Sequence, residues 1–241
     1  MQNSNREQLQ NIYVLIRLYQ LPTDNDDLVS RITFATNSQN PVDLRDLRSN
    51  DEKQRRLETD IAQLGFSYRR KRTDSPTKSK DITSGIAALA ILSVWRQQPH
   101  RAKFFQREHF GKLYDDIFSD ELNGAQIILA VLIYRIAENR RRRPLPNDPQ
   151  FVRYASCFIA MQMGKYLHND LNEKPLTHKN FEDAQKLVEQ KGVEYFDKAV
   201  LDIKAALEKL YENGSQVPLQ QLSATFRRGD LIDILSPKLK R

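Results

Sequence analysis

Cysteine is nearly missing from this 241-residue chain: the single one, Cys157, lies in the apolar run Tyr154-Ala-Ser-Cys-Phe-Ile. A disulfide framework is therefore excluded, a reducing compartment fits, and Cys157 is expected in the core. The four histidines stand at neither His-x-His nor His-Glu-x-x-His spacing and have no cysteine pair beside them, so no metal site and no cofactor are expected. A lysine-bearing Gly-rich phosphate loop and a serine elbow are also missing, which removes two common catalytic frames. Residues 1–10 are polar and offer no signal-peptide segment, and the apolar runs at 82–95 and 127–136 are too short to span a bilayer. The expected setting is cytoplasmic, with no membrane partner. Glycine and proline are scarce and long apolar stretches alternate with charged ones, the pattern of a folded, mainly helical protein. Acids are outnumbered, 31 against 38 cations, giving a formal charge of +7 that favours an anionic partner only modestly.

What the chain does have is a dense polar block at 33–51, continued by a helix and a basic run to Arg72. Asn37, Ser38, Gln39 and Asn40 are too polar for a strand interior, and Pro41 pushes Asn40 away from the helical region, so a loop lies here. Asp43, Arg45, Asp46 and Arg48 then flank Leu44 and Leu47 at a spacing that suits a short helix. Ser49 and Glu52 have the form of a capping box, ahead of the stripe Leu57, Ile61, Leu64, and Gly65 ends that helix. The segment 66–72 reads as a short strand that runs into Arg69, Arg70, Lys71 and Arg72, with Tyr68 placed to stack on a base. Asn37, Gln39, Asn40, Arg45 and Gln54 are side chains that read bases or hold phosphates by geometry, and none is a natural nucleophile. The bland alternative is a well-capped surface loop with solvated cations.

The run ITFATNSQNPVDLRDLRSNDEKQRRLETDIAQLGFSYRRKR, with YVLIRLYQL before it, resembles the core signature of the AIPR family, bacterial proteins named for abortive infection and phage resistance. The resemblance is carried by the Asn-x-Gln-Asn loop, an Arg-Asp-Leu turn, the Asn50-Asp51 helix start, Gln54 and the terminal Tyr-x-Arg-Lys-Arg. It loosens from residue 82 and is not traceable beyond Leu176. Family members are usually longer, with a region ahead of the signature, so the resemblance implies a C-terminal portion acting in phage defence.

Outside the signature, residues 12–19 suit a buried strand or a helix start, with the strand favoured, and Asp24, Asp26 and Asp27 suit a helix N-terminus better than a calcium loop. Asp81 or Thr83 is placed to cap an all-apolar helix over 86–94, which should pack directly on a second one over 127–136. Between them Phe104, Phe105, Phe110, Leu113, Tyr114, Ile117 and Phe118 predict one amphipathic helix whose aromatics are core. The run 140–143 holds four arginines, more than a helix C-terminus needs, which adds Arg141 and Arg142 to the candidate phosphate contacts. Residues 151–167 suggest a further buried helix. Val193, Phe196, Val200, Ile203, Leu207 and Leu210 form a three-four seam on one long helix, facing an internal neighbour or, less favoured, a homodimer partner. Asn213-Gly214 should stop it, and two short helices should come after, parted at Arg227, Arg228 and Gly229.

The expectation is a mainly α-helical (α+β) chain with a small β-containing element at its start and a helical bundle behind it. It divides into a signature region at 1–80, a central helical core at 81–175 and a C-terminal region at 176–241. The function expected is non-catalytic: a nucleic-acid-binding or accessory module whose partner is DNA or RNA. The alternative is a scaffold docking an N-terminal effector region or a partner protein. Third comes a metal-dependent nuclease fragment using Asp43, Asp46 and Asp51 with Arg45 or Lys71. The Glu189-x-Lys191 pair with Asp183 does not serve that chemistry, because it falls in a helical segment.

Overall fold

The computed structural model describes residues 43–71, 78–211 and 217–236, together with Leu28. The expected strand at 12–19, the aspartates at 24–27, Asn37, Gln39, Asn40, Arg72 and the Asn213-Gly214 stop lie outside the described residues. The chain divides into two units, Met1–Val42 and Asp43–Arg241.

The second unit is helical apart from one pair of three-residue strands among its described residues. Helix α1 (Leu44–Arg48) is capped by Asp43, whose carboxylate accepts from the Arg45 backbone N–H at 3.0 Å. Helix α2 (Glu52–Gln63) begins after three intervening residues, buries Gln54, Leu57 and Ile61, and closes at Gly65, whose φ of +77° favours glycine. The Ser49–Glu52 capping box does not form. Ser49 instead ends α1, its hydroxyl donating to the Asp46 carbonyl at 2.7 Å, and Asp51 takes the N-cap position of α2 without a side-chain bond. A hydroxyl that satisfies the preceding helix cannot cap the next one.

Strand β1 (Ser67–Arg69) pairs in parallel with β2 (Asp81–Thr83), setting Tyr68 beside Ile82. Thr83 caps α3 (Ser84–Val94) by accepting from the Ile86 N–H at 3.3 Å. Helix α3 packs against α6 (Gly124–Arg142), and α7 (Ser156–Asp170) completes this centre by packing on both. Ile91, Leu92, Ile127, Leu129, Ile159 and Met161 are fully buried, each worth about 1.5–3 kcal/mol relative to exposure. Asn123 and Gln126 form a reciprocal capping box at the start of α6. Cys157 is buried, as expected of a core thiol.

Two expected helices differ. The aromatic run is not one helix but α4 (Pro99–Phe104), a 3₁₀ turn (Gln106–Glu108) and α5 (Tyr114–Ile117). The apolar pattern skips from Phe105 to Phe110, a gap of five that a period of 3.6 does not support. Helix α7 likewise begins only at Ser156, after a separate 3₁₀ turn at Gln150–Arg153.

Helix α8 (Phe181–Tyr211) lies along α7 and α6. Its buried face runs through Val188, Gly192, Tyr195, Phe196, Ala199, Ile203 and Leu207, whereas Val193 is 67% exposed. Gly192 permits the approach, since a Cβ there would meet Ile136 Cδ1 at 2.6 Å. Helices α9 (Leu219–Arg228) and α10 (Ile232–Leu235) come last, parted at Gly229 with φ +82°. Among the described residues no helix is long and apolar enough to cross a membrane.

Candidate nucleic-acid interface

The arginines of the signature fold back on their own chain. Arg45, from α1, lies with its guanidinium 5.4 Å from the Phe110 ring centroid and occupies space left by Gly85 in the first turn of α3, where a Cβ would come within 2.7 Å of Nη2. Arg48 pairs with Asp51 at 3.1 Å and sits 4.5 Å from the Tyr114 ring centroid. Arg69 forms an ion pair with Asp81 across the strand pair. The Lys78 backbone N–H bonded to Asp81 lowers that carboxyl's pKa against some burial, and Arg69 lowers it further. Arg70 holds Glu58 at 2.9 Å and donates to the Ser49 carbonyl, tying β1 to the joint between α1 and α2. Both arginines are four-fifths buried.

The two uncharged members lie deeper still. Gln54 and Tyr68 are buried, and the Tyr68 hydroxyl donates to Gln54 Oε1 at 2.8 Å. Burial raises the Tyr68 pKa well above its usual value, so the phenol stays neutral. Lys71 is exposed. The structure thus brings Arg45, Arg48, Gln54, Tyr68, Arg69 and Arg70 together as an internal brace, with Lys71 outside it.

The arginine run at the end of α6 is also engaged. Arg141 grips Glu138 by two hydrogen bonds, 2.8 and 2.6 Å, and Arg142 adds a third at 3.0 Å. Burial pushes the Glu138 carboxyl upward, but the bonds from Arg141 and Arg142 outweigh it and hold the pKa down to about 2. Arg140 pairs with Asp148 at 2.9 Å and lies over Phe196. The exposed Arg143 has no ion-pair partner among the described residues.

A different surface carries cations with no carboxylate of their own. Arg101, Lys103 and Arg107 lie on α4 and the 3₁₀ turn behind it, and Arg227, from α9, reaches over the Phe104 ring at 5.9 Å. None of the four forms an ion pair among the described residues; Arg101 donates to Gln98 Oε1 instead. Between them Phe104 and Phe105 stand 39% and 40% exposed. Burial lowers the Lys103 pKa; Cys157 counters that, and the charge of Arg141 lowers it further. Sequence reasoning missed this face because it placed both phenylalanines on the core side of a helix that does not exist. The signal was the flanking of the Phe104-Phe105 pair by cations in Arg101-Ala-Lys-Phe-Phe-Gln-Arg107.

A 510 Å³ cleft beside α2, lined by Arg48, Asp51, Lys53, Arg56, Tyr114 and Asp120, has its charges already matched. Lys53 bridges Asp115 at 2.9 Å and Asp120 at 3.3 Å, and Arg56 donates to the carbonyls of Asp120 and Leu122. Among the described residues no group of three or more His, Cys, Asp or Glu is placed to hold a metal ion. Asp43 serves α1 as its cap and Asp51 faces Arg48, so these two members of the nuclease alternative have architectural partners.

No curated protein and no solved structure shows significant similarity to the chain. A family model does: the one described as AIPR protein matches residues 1–215, a span that holds the signature brace and α4 but stops short of Arg227. By that match, over most of its length, the chain belongs to the AIPR family.

Proposed function

We propose that the chain is a non-catalytic nucleic-acid-binding module of a phage-defence protein, contacting phosphates through the α4 face and not through the arginines of its signature. Membership in the AIPR family supports the phage-defence role. The observation that carries the binding reading is the uneven use of charge. Arg69, Arg70, Arg141 and Arg142 each face a carboxylate within 4 Å, whereas Arg101, Lys103, Arg107 and Arg227 face none among the described residues. A phosphate that meets an unpaired cation gains from counterion release without first breaking an ion pair.

The test is a salt titration of binding to DNA and RNA oligonucleotides. Replacing Lys103, Arg107 and Arg227 with alanine should weaken binding to every sequence and flatten the slope of log affinity against log salt by roughly 2 to 2.7, at about 0.7–0.9 per lost contact. Replacing Arg69 and Arg70 should lower the melting temperature and leave that slope nearly unchanged. Absence of binding by the wild type at low salt would overturn the reading. The docking scaffold would then lead, since the inward brace of Arg45, Arg48, Arg69 and Arg70 suits a rigid platform equally well.

A further inference from the structure

We infer that the ligand of the α4 face is single-stranded, with unpaired bases stacking on Phe104 and Phe105 while Lys103, Arg107 and Arg227 meet the flanking phosphates. The inference rests on the nucleic-acid reading above and adds to it the strandedness of the ligand and the residues that select it.

Exposed rings are the reason. The other aromatics of this region, Phe110, Tyr114 and Phe118, are buried and pack on one another with centroids 5.3–6.3 Å apart. Phe104 and Phe105 leave that cluster at the break after α4, where Phe105 adopts φ −112°, ψ 32° and the helix ends. Phe105 makes no ring or cation contact among the described residues, and Phe104 has only Arg227 over it at 5.9 Å. These two adjacent apolar rings, each about two-fifths exposed, stand outside the core cluster. The four unpaired cations around them select an anionic occupant over a neutral apolar one.

Strandedness comes from what a ring can reach. In a duplex the base faces are already stacked on one another and only groove edges are presented, so a phenyl group finds no partner. In a single strand every base has a free face, and stacking on an aromatic side chain tolerates any sequence. Arg227 can cover the ring in the free protein and turn to a phosphate in the complex, because the ring it leaves is then covered by the base. The competing occupant for such a patch is an acidic protein segment, which would also use the cations but would need only apolar contact from the rings.

The experiment separates these. Affinities of the full chain for an oligo(dT), an oligo(U) and a mixed-sequence duplex of equal length are measured by fluorescence anisotropy, for wild type, F104L/F105L and F104Y/F105Y. Leucine keeps the apolar contact and loses the flat face; tyrosine keeps both. Expected is a wild-type preference for the single strands, a loss of roughly tenfold or more in F104L/F105L, and recovery in F104Y/F105Y. The duplex affinity and the salt slope should be the same in all three. Both positions are exposed, and matching melting temperatures confirm that the variants fold. Equal wild-type affinity for duplex and single strand, or full single-strand binding by F104L/F105L, overturns the inference while leaving the nucleic-acid reading intact. Failure of the wild type to bind any oligonucleotide overturns both.

Discussion

Glu138 offers the sharpest test of how charge is apportioned, because one carboxylate pairs with two arginines. Its side chain is 13% exposed and accepts three hydrogen bonds from Arg141 and Arg142. A carboxyl pKa held at about 2 against an ordinary 4.5 corresponds to ~3 kcal/mol at most. Arg142 is 67% exposed and well screened, so about 1–2 kcal/mol is the expected cost of Glu138→Gln at pH 7. The sign fixes the pH window. Because the folded pKa lies below the unfolded one, the stabilisation is fully present above the ordinary carboxylate range and disappears as pH falls toward 2. The gap between wild type and E138Q in urea denaturation should therefore be widest near pH 7 and close at pH 2. Every other carboxylate titrates in both proteins and cancels in the difference. A gap of equal size at both pH values, or none at pH 7, would refute the argument. The same variant has a binding consequence. Freed of their carboxylate, Arg141 and Arg142 gain a net positive charge beside Lys103, so the salt slope for oligonucleotide binding should steepen, by roughly 0.7–0.9 for one added phosphate contact.

Gly124→Ala should lower stability by about 1–3 kcal/mol in urea denaturation, because a Cβ there would lie 2.9 Å from the Asp60 carbonyl carbon and 3.0 Å from the Ile61 nitrogen, backbone atoms that cannot turn aside. Gly192→Ala meets only the tip of the Ile136 side chain, and with alanine about 1 kcal/mol better than glycine inside a helix its melting temperature should hold or rise. Leu129→Asp should abolish folding, since an unpaired buried charge costs on the order of the whole stability; a soluble, cooperatively melting L129D protein would contradict the pairing of α3 with α6. Chelation should leave the thermal midpoint unchanged, and a fall of many degrees would reveal a metal site outside the described residues.

The central helices were legible because nearly every residue of 86–94 and 127–136 is apolar, and a helix without a polar face has only the interior to occupy. The seam of α8 was legible at Phe196, Ile203 and Leu207, which are buried, but not at Val193, which is exposed. A reading that tracks large apolar side chains selects Val193, but the tight side of this helix is built from Gly192, Ala199 and Ala206, whose value lies in letting a neighbour approach. The signature was legible in residue type but not in side-chain placement. Its residue types were read correctly as bidentate hydrogen-bonding groups, yet composition does not reveal which way a guanidinium turns. The partners that decide it stand 12 residues away for Arg69–Asp81 and for Arg70–Glu58, and 14 for Tyr68–Gln54. Each pair forms only after α2 and the parallel strands are in place.

That dependence on distant carboxylates is why a count of cations does not by itself locate a binding face. The formal +7 is a sum over pairs as well as over free charges, and a polyanion responds to the second kind. To engage Arg70 a phosphate must compete with Glu58 and with the Ser49 carbonyl, both already at hydrogen-bonding range and partly withdrawn from water. Removing such a partner costs more than an exposed contact returns. At α4 no carboxylate among the described residues has to be displaced. Lys103 senses both Glu138 and Arg141, so the clamp at the end of α6 lies on the border between the two kinds of charge. Neutralising Glu138 should therefore move two arginines from the structural set to the binding set, whereas neutralising Glu58 should free Arg70 into a site walled by α2 and β1 and change affinity little. Equal gains in affinity from E138Q and E58Q would show that the free protein's ion pairs do not decide where the anion binds.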